Sequence, residues 1–169
     1  LRRQRQMCIR DRYKAENPEQ YEKITQKLFR ESDLILAQEY LYTEFDWRIG
    51  ILNREPIFAC QYYMSKAHWQ IVKHGSKGGF TEGGYKSWHL SRVPPAVVDT
   101  ALKAANLMGD GFYGVDIKQN ENGLYVIEVN DNPNLETGVE DAAEGDALYL
   151  NILGEFVRRL DARKAGLMT

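Results

Sequence analysis

Two segments in the second half of the chain alternate between apolar and polar side chains. Residues 113–118 and 124–129 are rich in β-branched and aromatic side chains, and Asn122-Gly123 between them is a strong turn signal. The pattern predicts a β-hairpin with Glu121-Asn122-Gly123 as its three-residue connection and Gly123 at positive φ. In that register Asp116 lies opposite Glu128.

Side chains alternate along a strand, so the predicted hairpin has one polar and one apolar face. Asp116, Glu128 and Asn130 share the polar face, while the apolar side chains expected in the core are Val115, Ile117, Ile127 and Val129. Carboxylate and amide oxygens are hard donors that suit Mg²⁺, which also retains waters and substrate phosphates. An exposed hairpin with a solvated polar face is the alternative.

Three stretches carry apolar residues at helical spacing. The first begins at Asn17-Pro18, with Asn17 as N-cap and Gln20 at the capping-box position. The second opens at Pro94-Pro95 and runs through Met108, and the third begins at Asp146. The side chains expected to be buried are Tyr21, Ile24 and Leu28 in the first helix, Val98, Ala101, Leu102 and Ala105 in the second, and Leu148, Ile152, Leu153, Phe156, Val157 and Leu160 in the third.

Three further segments favour strands. Residues 34–42 have a short, bounded apolar run that predicts a buried strand, although pattern alone separates helix and strand poorly here. Residues 49–52 and 57–63 flank Asn53-Arg54-Glu55-Pro56, which is another hairpin signal. Together the elements predict an α+β fold with a mostly antiparallel sheet and helices packed against it.

Composition narrows the class of protein. The chain has 169 residues, 43% hydrophobic and 27% charged, which suits one soluble domain, and no apolar run approaches the roughly 18 residues of a membrane helix. Two cysteines provide no disulfide framework, so a reducing cytoplasm is expected. The three histidines and these cysteines lack the tight spacing of a zinc site.

The first twelve residues, LRRQRQMCIRDR, match the translation of a sequencing-library adapter. The alternative is a natural basic arm that binds nucleic acid or anionic lipid. Excluding the segment removes five Arg and one Asp and changes the net charge from −2 to −6. We therefore expect no nucleic-acid or membrane partner, and a native sequence that continues upstream of Tyr13.

Asp116, Glu128-Val129-Asn130 and the following Asn132-Pro133 resemble the metal-binding end of an ATP-grasp ligase. The likeness is greatest to the RimK group of ATP-dependent carboxylate–amine ligases and covers about residues 34–160, so residues 13–169 are expected to be an ATP-grasp domain truncated on its N-terminal side. The resemblance implies ATP and Mg²⁺, or Mn²⁺ in its place, as cofactors. It assigns the metal to Asp116, Glu128 and Asn130.

The same resemblance assigns further residues. Gln38-Glu39-Tyr40-Leu41 resembles the hinge that contacts the adenine, and Asp46 resembles the acidic residue near the ribose. Arg48 resembles a site-lining arginine, and Lys66 stands where related ligases place a basic residue near the transferred phosphate. The alternatives are an ordinary strand end for the hinge, a simple ion pair for Asp46 and Arg48, and a surface lysine for Lys66.

The implied reaction transfers phosphate to a carboxylate and lets an amine attack the acyl phosphate, for example to add glutamate to a peptide or protein terminus. Asn134 replaces the glycine of RimK itself, and residues 63–93 depart from its basic pattern, which leaves the substrates open. The Gly-rich segment 74–87 predicts a mobile loop or a plain insertion. A non-catalytic nucleotide-binding module, a structural interaction domain and an oligomer all remain open.

Overall fold

The computed structural model describes residues 13–64, 72–74, 80–82 and 84–167. The adapter-like segment 1–12 and Lys66 lie outside the described residues, as do residues 75–79 and 83 of the Gly-rich segment. The chain divides into two compact units, residues 1–42 and 43–169. Within the described residues, no helix is long and apolar enough to cross a membrane.

The first unit contains helix α1, Pro18–Leu28, and its predicted start is confirmed. The Asn17 side chain accepts a hydrogen bond from Gln20 N at 2.9 Å, and Gln20 Oε1 accepts one from Glu16 N at 2.9 Å. The predicted buried face is wrong for Tyr21, which is 52% exposed, and no residue of α1 is fully buried. Helical spacing shows which side chains share a face but not what covers that face.

Residues 34–42 form no regular element, so the predicted buried strand is wrong. Leu34 and Leu36 are 86% and 84% exposed. A strand forms when a neighbouring strand takes up its backbone hydrogen bonds, and an apolar run carries no information about that neighbour.

The second unit is built on a five-stranded antiparallel sheet, which confirms the predicted α+β class. The strands lie in the order β5-β2-β1-β6-β7, with bounds β1 Phe45–Leu52, β2 Glu55–Tyr63, β5 Tyr85–Trp88, β6 Phe112–Asn120 and β7 Gly123–Asn130. A separate pair is formed by β3, Val72–His74, and β4, Phe80–Glu82. A short 3₁₀ helix spans Leu90–Arg92.

The hairpin of β1 and β2 turns at Asn53 and Arg54, with φ of 49° and 66°. Two consecutive residues at positive φ are the signature of a two-residue type I′ turn, whose twist matches that of the strands it joins. The predicted hairpin is therefore confirmed.

The hairpin of β6 and β7 confirms the predicted pairing of Asp116 with Glu128, but it reaches that pairing by a different route. Asn120 pairs with Gly123, so the connection has two residues rather than three, and a β-bulge at Ile127 restores the register. Gly123 has the predicted positive φ, 150°. Because Ile127 lies in the bulge it is half-buried, and only Val115 and Ile117 of the four expected core residues are fully buried.

Helix α2, Pro95–Met108, covers one face of the sheet and ends at Gly109 as predicted. Its buried residues are Val97, Ala101 and Ala105, whereas Val98 and Leu102 pack at the edge of the contact. The sheet residues in the same core are Trp47, Ile49, Ile51, Ala59, Val115 and Ile117. This face is the apolar one, so the polar side chains of β1 and β6 point to the opposite side.

Helix α3, Asp146–Lys164, closes one end of that opposite side. Leu148 and Ile152 pack in a second cluster with Leu52, Ile57 and Phe58. The later part of the predicted core stripe is wrong, because Leu153 and Leu160 are 61% and 57% exposed and Phe156 and Val157 are also exposed. The spacing places them on a common arc of the helix, but the α3 side chains that pack in this cluster, Leu148 and Ile152, lie in its first two turns.

Candidate functional site

Two rows of polar side chains cross the sheet on the face opposite α2. In the first row, successive strands pair Glu128 with Asp116, Asp116 with Arg48, Arg48 with Cys60, and Cys60 with Ser87. This row runs from β7 to β5. The second row pairs Lys118 with Asp46, and Asp46 with Tyr62. Directly paired residues on adjacent strands share a face, so the register alone brings these groups together.

Arg48 and Asp116 form a two-bonded ion pair at the centre of the first row. Arg48 Nε and Nη2 donate to Asp116 Oδ1 and Oδ2, each at 2.8 Å, and both side chains are largely buried. Burial by itself lowers the pKa of the Arg48 guanidinium, but the hydrogen bonds and charge of Asp116 outweigh burial and raise that pKa above its usual range. Arg48 is therefore a fixed positive charge whose plane is set by Asp116.

Asp46 and Lys118 form the ion pair of the second row. Lys118 Nζ lies 2.6 Å from Asp46 Oδ1 and 2.8 Å from Thr43 Oγ1, and the Thr43 hydroxyl also donates to Asp46. Asp46 and Arg48 therefore lie on the same face, as predicted, but each forms its ion pair with a residue of β6 and not with the other. The role of Asp46 near a ribose remains a prediction.

The loop between β7 and α3 covers part of this polar face. The Tyr62 hydroxyl donates to Glu140 Oε1, and Glu140 Oε2 accepts a hydrogen bond from Glu136 N at 2.9 Å. The Ser87 hydroxyl donates to the carbonyl oxygen of Val139. Burial, and then the hydrogen bond to Glu140, raise the pKa of Tyr62 well above its usual range, so Tyr62 is a neutral donor.

Two further contacts hold the same loop. Asp141 accepts hydrogen bonds from Gly138 N at 2.6 Å and from the Tyr149 hydroxyl of α3 at 3.0 Å. The buried Pro133 lies directly over Gly114, close enough that a Cβ atom at position 114 would be 2.8 Å from Pro133 Cβ. The loop is thus held on the sheet by packing on β6 and by hydrogen bonds from β2 and β5, and it is joined to α3 by the bond from Tyr149.

The candidate metal ligands lie together at the β6–β7 end of the first row. Asp116 is directly opposite Glu128, and Asn130 is opposite Gly114, one pair further along the same face. The part of the chain that the structure describes has no group of three His, Cys, Asp or Glu able to hold a metal, so this set depends on the amide of Asn130.

The donor set suits a hard cation. Arg48 engages each Asp116 oxygen once, and Asn132 N donates to Asn130 Oδ1 at 2.9 Å. A carboxylate or amide oxygen carries two lone pairs, so Asp116 and Asn130 each keep acceptor capacity for a metal. The residues present therefore fit a Mg²⁺ ion that also retains waters and phosphate oxygens.

A family model for the RimK-like ATP-grasp domain matches residues 15–146. The chain belongs to the RimK-like ATP-grasp family. A probable alpha-L-glutamate ligase of Vibrio vulnificus (strain YJ016) is 43% identical over 127 residues, which is 74% of this chain and 38% of that protein. A probable alpha-L-glutamate ligase of Aliivibrio fischeri (strain MJ11) is 36% identical over 96 residues, which is 56% of this chain and 31% of that protein. The chain spans about a third of the length of the curated relatives it matches.

Solved structures agree on the ATP-grasp fold. D-alanine–D-alanine ligase from Bacillus anthracis superposes with a TM-score of 0.62 at 13% identity, covering 89% of this chain and 51% of that chain. The structure of the same enzyme complexed with ATP gives a TM-score of 0.53 at 13% identity, covering 79% of this chain and 42% of that chain. Both comparisons place the chain in the predicted fold.

The remaining predicted ATP-grasp residues belong to the first unit or lie outside the described part. Gln38, Glu39, Tyr40 and Leu41 lie in the irregular segment of the first unit, where Lys14 Nζ lies 4.3 Å from the centre of the Tyr40 ring. Their roles as nucleotide contacts, and that of Lys66 near the phosphate, remain predictions.

Lys118, Tyr62 and Glu140 were not predicted as site residues from the sequence. The partners Lys118 and Asp46 are 72 positions apart, and Tyr62 and Glu140 are 78 apart. The alternation of β6 puts Lys118 on the face of Asp116, which is a usable signal. The sequence signal for Glu140 is weaker, because Glu140 is one of several acidic residues in a loop whose path does not follow from the sequence.

Proposed function

We propose that this chain forms the metal-binding part of an ATP- and Mg²⁺-dependent carboxylate–amine ligase. The γ-phosphoryl group of ATP is transferred to a carboxylate, giving an acyl phosphate and ADP. An amine then attacks the acyl carbon, forms an amide bond and releases phosphate. The carboxylate belongs to a peptide or protein terminus and the amine to an amino acid such as glutamate, in line with the relatives named probable alpha-L-glutamate ligases.

The observation that carries this proposal is the juxtaposition of Glu128, Asp116 and Arg48 on three adjacent strands. Two carboxylates provide ligands for a divalent cation, and the guanidinium next to them provides a fixed positive charge. A site that handles a triphosphate needs both kinds of group, because the phosphates bring several negative charges with them.

The residues of the chain act mainly by position and charge. When bound, Mg²⁺ supplies positive charge that neutralises the phosphate oxygens during transfer, and Asp116, Glu128 and Asn130 would hold it. Arg48 is oriented before any substrate arrives, since Asp116 accepts hydrogen bonds from two of its three guanidinium nitrogens, Nε and Nη2. A preoriented charge needs little reorganisation at the moment of transfer, which is the main source of electrostatic catalysis.

Covalent catalysis by the buried cysteine of the site is disfavoured. Burial raises the pKa of the Cys60 thiol to about 11, so the thiolate is scarce near neutral pH. Direct attack of a substrate carboxylate on ATP requires no protein nucleophile. The site therefore suits phosphoryl transfer between substrates.

The test is the substitution Glu128→Gln in the full-length protein. The assay is Mg²⁺-dependent ADP release in the presence of glutamate and a peptide that supplies the carboxylate. Loss of one charged ligand should reduce ADP release by about 100-fold. Glu121→Gln is the matched control, because it makes the same change at the exposed turn of the same hairpin. Near-normal ADP release in the Glu128 variant would reject the metal assignment, and Mg-ATP binding without turnover in the wild type would indicate a nucleotide-binding module.

A further inference from the structure

A buried hydrogen-bonded pair, Tyr62 and Glu140, links the polar face of the sheet to the loop that follows the metal strand. Glu140 is only 1% exposed. One of its oxygens accepts from the Tyr62 hydroxyl and the other from Glu136 N. A buried carboxyl group with both oxygens engaged has a fixed orientation, since losing either bond leaves a buried oxygen without a hydrogen-bond partner.

The ring of Tyr62 carries this fixed orientation to Arg48. The Arg48 guanidinium lies over the Tyr62 ring, with Arg48 Cζ 5.1 Å from the ring centre. The Tyr62 hydroxyl oxygen lies on the axis of rotation about Cβ–Cγ, so anchoring it at Glu140 fixes the direction of the side chain. Because a phenolic O–H prefers to lie in the plane of the ring, the same hydrogen bond also limits rotation of the ring about that axis. Arg48 is then bounded by two groups, the carboxylate of Asp116 and the ring of Tyr62.

We propose that Tyr62 and Glu140 are positioning residues, which hold the Arg48 guanidinium and, through it, the Asp116 carboxylate in the orientation that the ligase site uses. The inference rests on the proposed function only for its last step, the effect on metal binding. The orientation of Arg48 itself follows from the contacts.

A second tyrosine–carboxylate pair offers a matched comparison. The Tyr149 hydroxyl donates to the buried Asp141 at 3.0 Å, in the same loop, but it joins that loop to α3. Removing either hydroxyl therefore takes one donor from one buried carboxylate. If the two pairs only hold the loop, Tyr62→Phe and Tyr149→Phe should have the same effect on Arg48.

The first experiment measures solvent exchange of the Arg48 Nε–H by ¹⁵N NMR of the chain without nucleotide, with the signal assigned through Arg48→Lys. Tyr62→Phe keeps the ring and removes only the anchor, so exchange should become about tenfold faster, the equivalent of one net hydrogen bond. Tyr149→Phe should exchange at the wild-type rate. Glu140→Gln is a second variant, expected to act in the same direction because its amide cannot replace both acceptor oxygens. Wild-type exchange in both the Tyr62 and Glu140 variants would overturn the proposal.

The second experiment measures Mn²⁺ affinity in the presence of ADP by electron paramagnetic resonance of the full-length protein, with Mn²⁺ in place of Mg²⁺. Tyr62→Phe should weaken Mn²⁺ binding by about tenfold, and Tyr149→Phe should leave it unchanged. Equal affinities in the two variants would overturn the link between Tyr62 and the metal. Absence of Mn²⁺ binding in the wild type would instead refute the proposed function, while the exchange measurement would still decide whether Tyr62 orients Arg48.

Discussion

Replacing Gly114 with alanine tests whether the loop after β7 really packs on the polar face. Gly114 lies on β6 beside Asp116, and its pairing partner on β7 is Asn130. An added Cβ would lie 2.8 Å from Pro133 Cβ and 3.9 Å from Arg48 Cδ. Carbon atoms in contact pack at about 3.5–4.0 Å, so the buried Pro133 must move away.

The expected cost follows from two opposing effects. Overpacking of this kind destabilises a protein by about 1–3 kcal/mol. Replacing glycine by alanine in a strand returns about 0.5–1 kcal/mol, because alanine has less backbone freedom to lose. The two ranges leave a net loss in the free energy of unfolding of about 0–2.5 kcal/mol, with a mid-range value of about 1 kcal/mol, which lowers the melting temperature of a chain of this size by about 2–4 °C.

Urea denaturation followed by tryptophan fluorescence measures this change, since Trp47 and Trp88 pack together in the sheet core with ring centres 5.6 Å apart. Gly154→Ala on α3 is the control, because nothing lies within 4 Å of its Cβ position. That change should stabilise the chain by about 0.5–1 kcal/mol through helix propensity. A Gly114→Ala chain that is more stable than the wild type by about 0.5–1 kcal/mol, as expected where the added methyl group meets nothing, would refute the packing of Pro133 on β6.

Two further predictions concern ionisation. Hydrogen bonds from Arg158, and next from Arg159, lower the pKa of Glu155 from 4.5 to about 2. Because the pKa of Glu155 is lower in the folded chain, Glu155 should stabilise the fold above about pH 4.5 and lose that contribution as the pH falls through about 2. The difference in free energy of unfolding between the wild type and Glu155→Gln should therefore disappear in acid. A difference that does not change with pH would contradict the ion pairs. The pKa of about 11 for Cys60 means about 100-fold less thiolate near pH 8 than at the reference value of 9.0. In a Cys8→Ser chain, Cys60 should therefore react with a thiol reagent much more slowly when folded than in urea, and equal rates would show that the thiol is not buried.

Features set by neighbouring residues could be predicted from the sequence. The cap of α1, the limits of α2 and the two long hairpins all depend on side chains within a few positions, such as Asn17, Gly109 and Asn53. The opposition of Asp116 and Glu128 was predicted correctly from the wrong connection: the two-residue turn shifts the register by one residue, and the bulge at Ile127, which was not predicted, shifts it back.

Features set by distant residues could not. Alternation along β1 puts Asp46 and Arg48 on one face but gives no sign that their partners are Lys118 and Asp116, because the pairing of β1 with β6 joins segments about 70 positions apart. Glu140, in the loop after β7, accepts its hydrogen bond from a tyrosine of β2 that lies 78 positions away. The exposed and the buried residues of α3 are equally apolar, and they differ in whether a sheet residue packs against them.

The two ion pairs between β1 and β6 also bear on how the chain finds its fold. In the native register Asp46 faces Lys118 and Arg48 faces Asp116. Sliding one strand by two residues keeps every side chain on its face, and it is therefore the slip that the hydrophobic pattern tolerates best. One such slip would put Arg48 opposite Lys118, and the other would put Asp46 opposite Asp116, so either error sets like charges against each other. The charges at the centre of the candidate site thus also oppose misaligned sheets during folding, and a substitution made there to alter chemistry would change folding fidelity too.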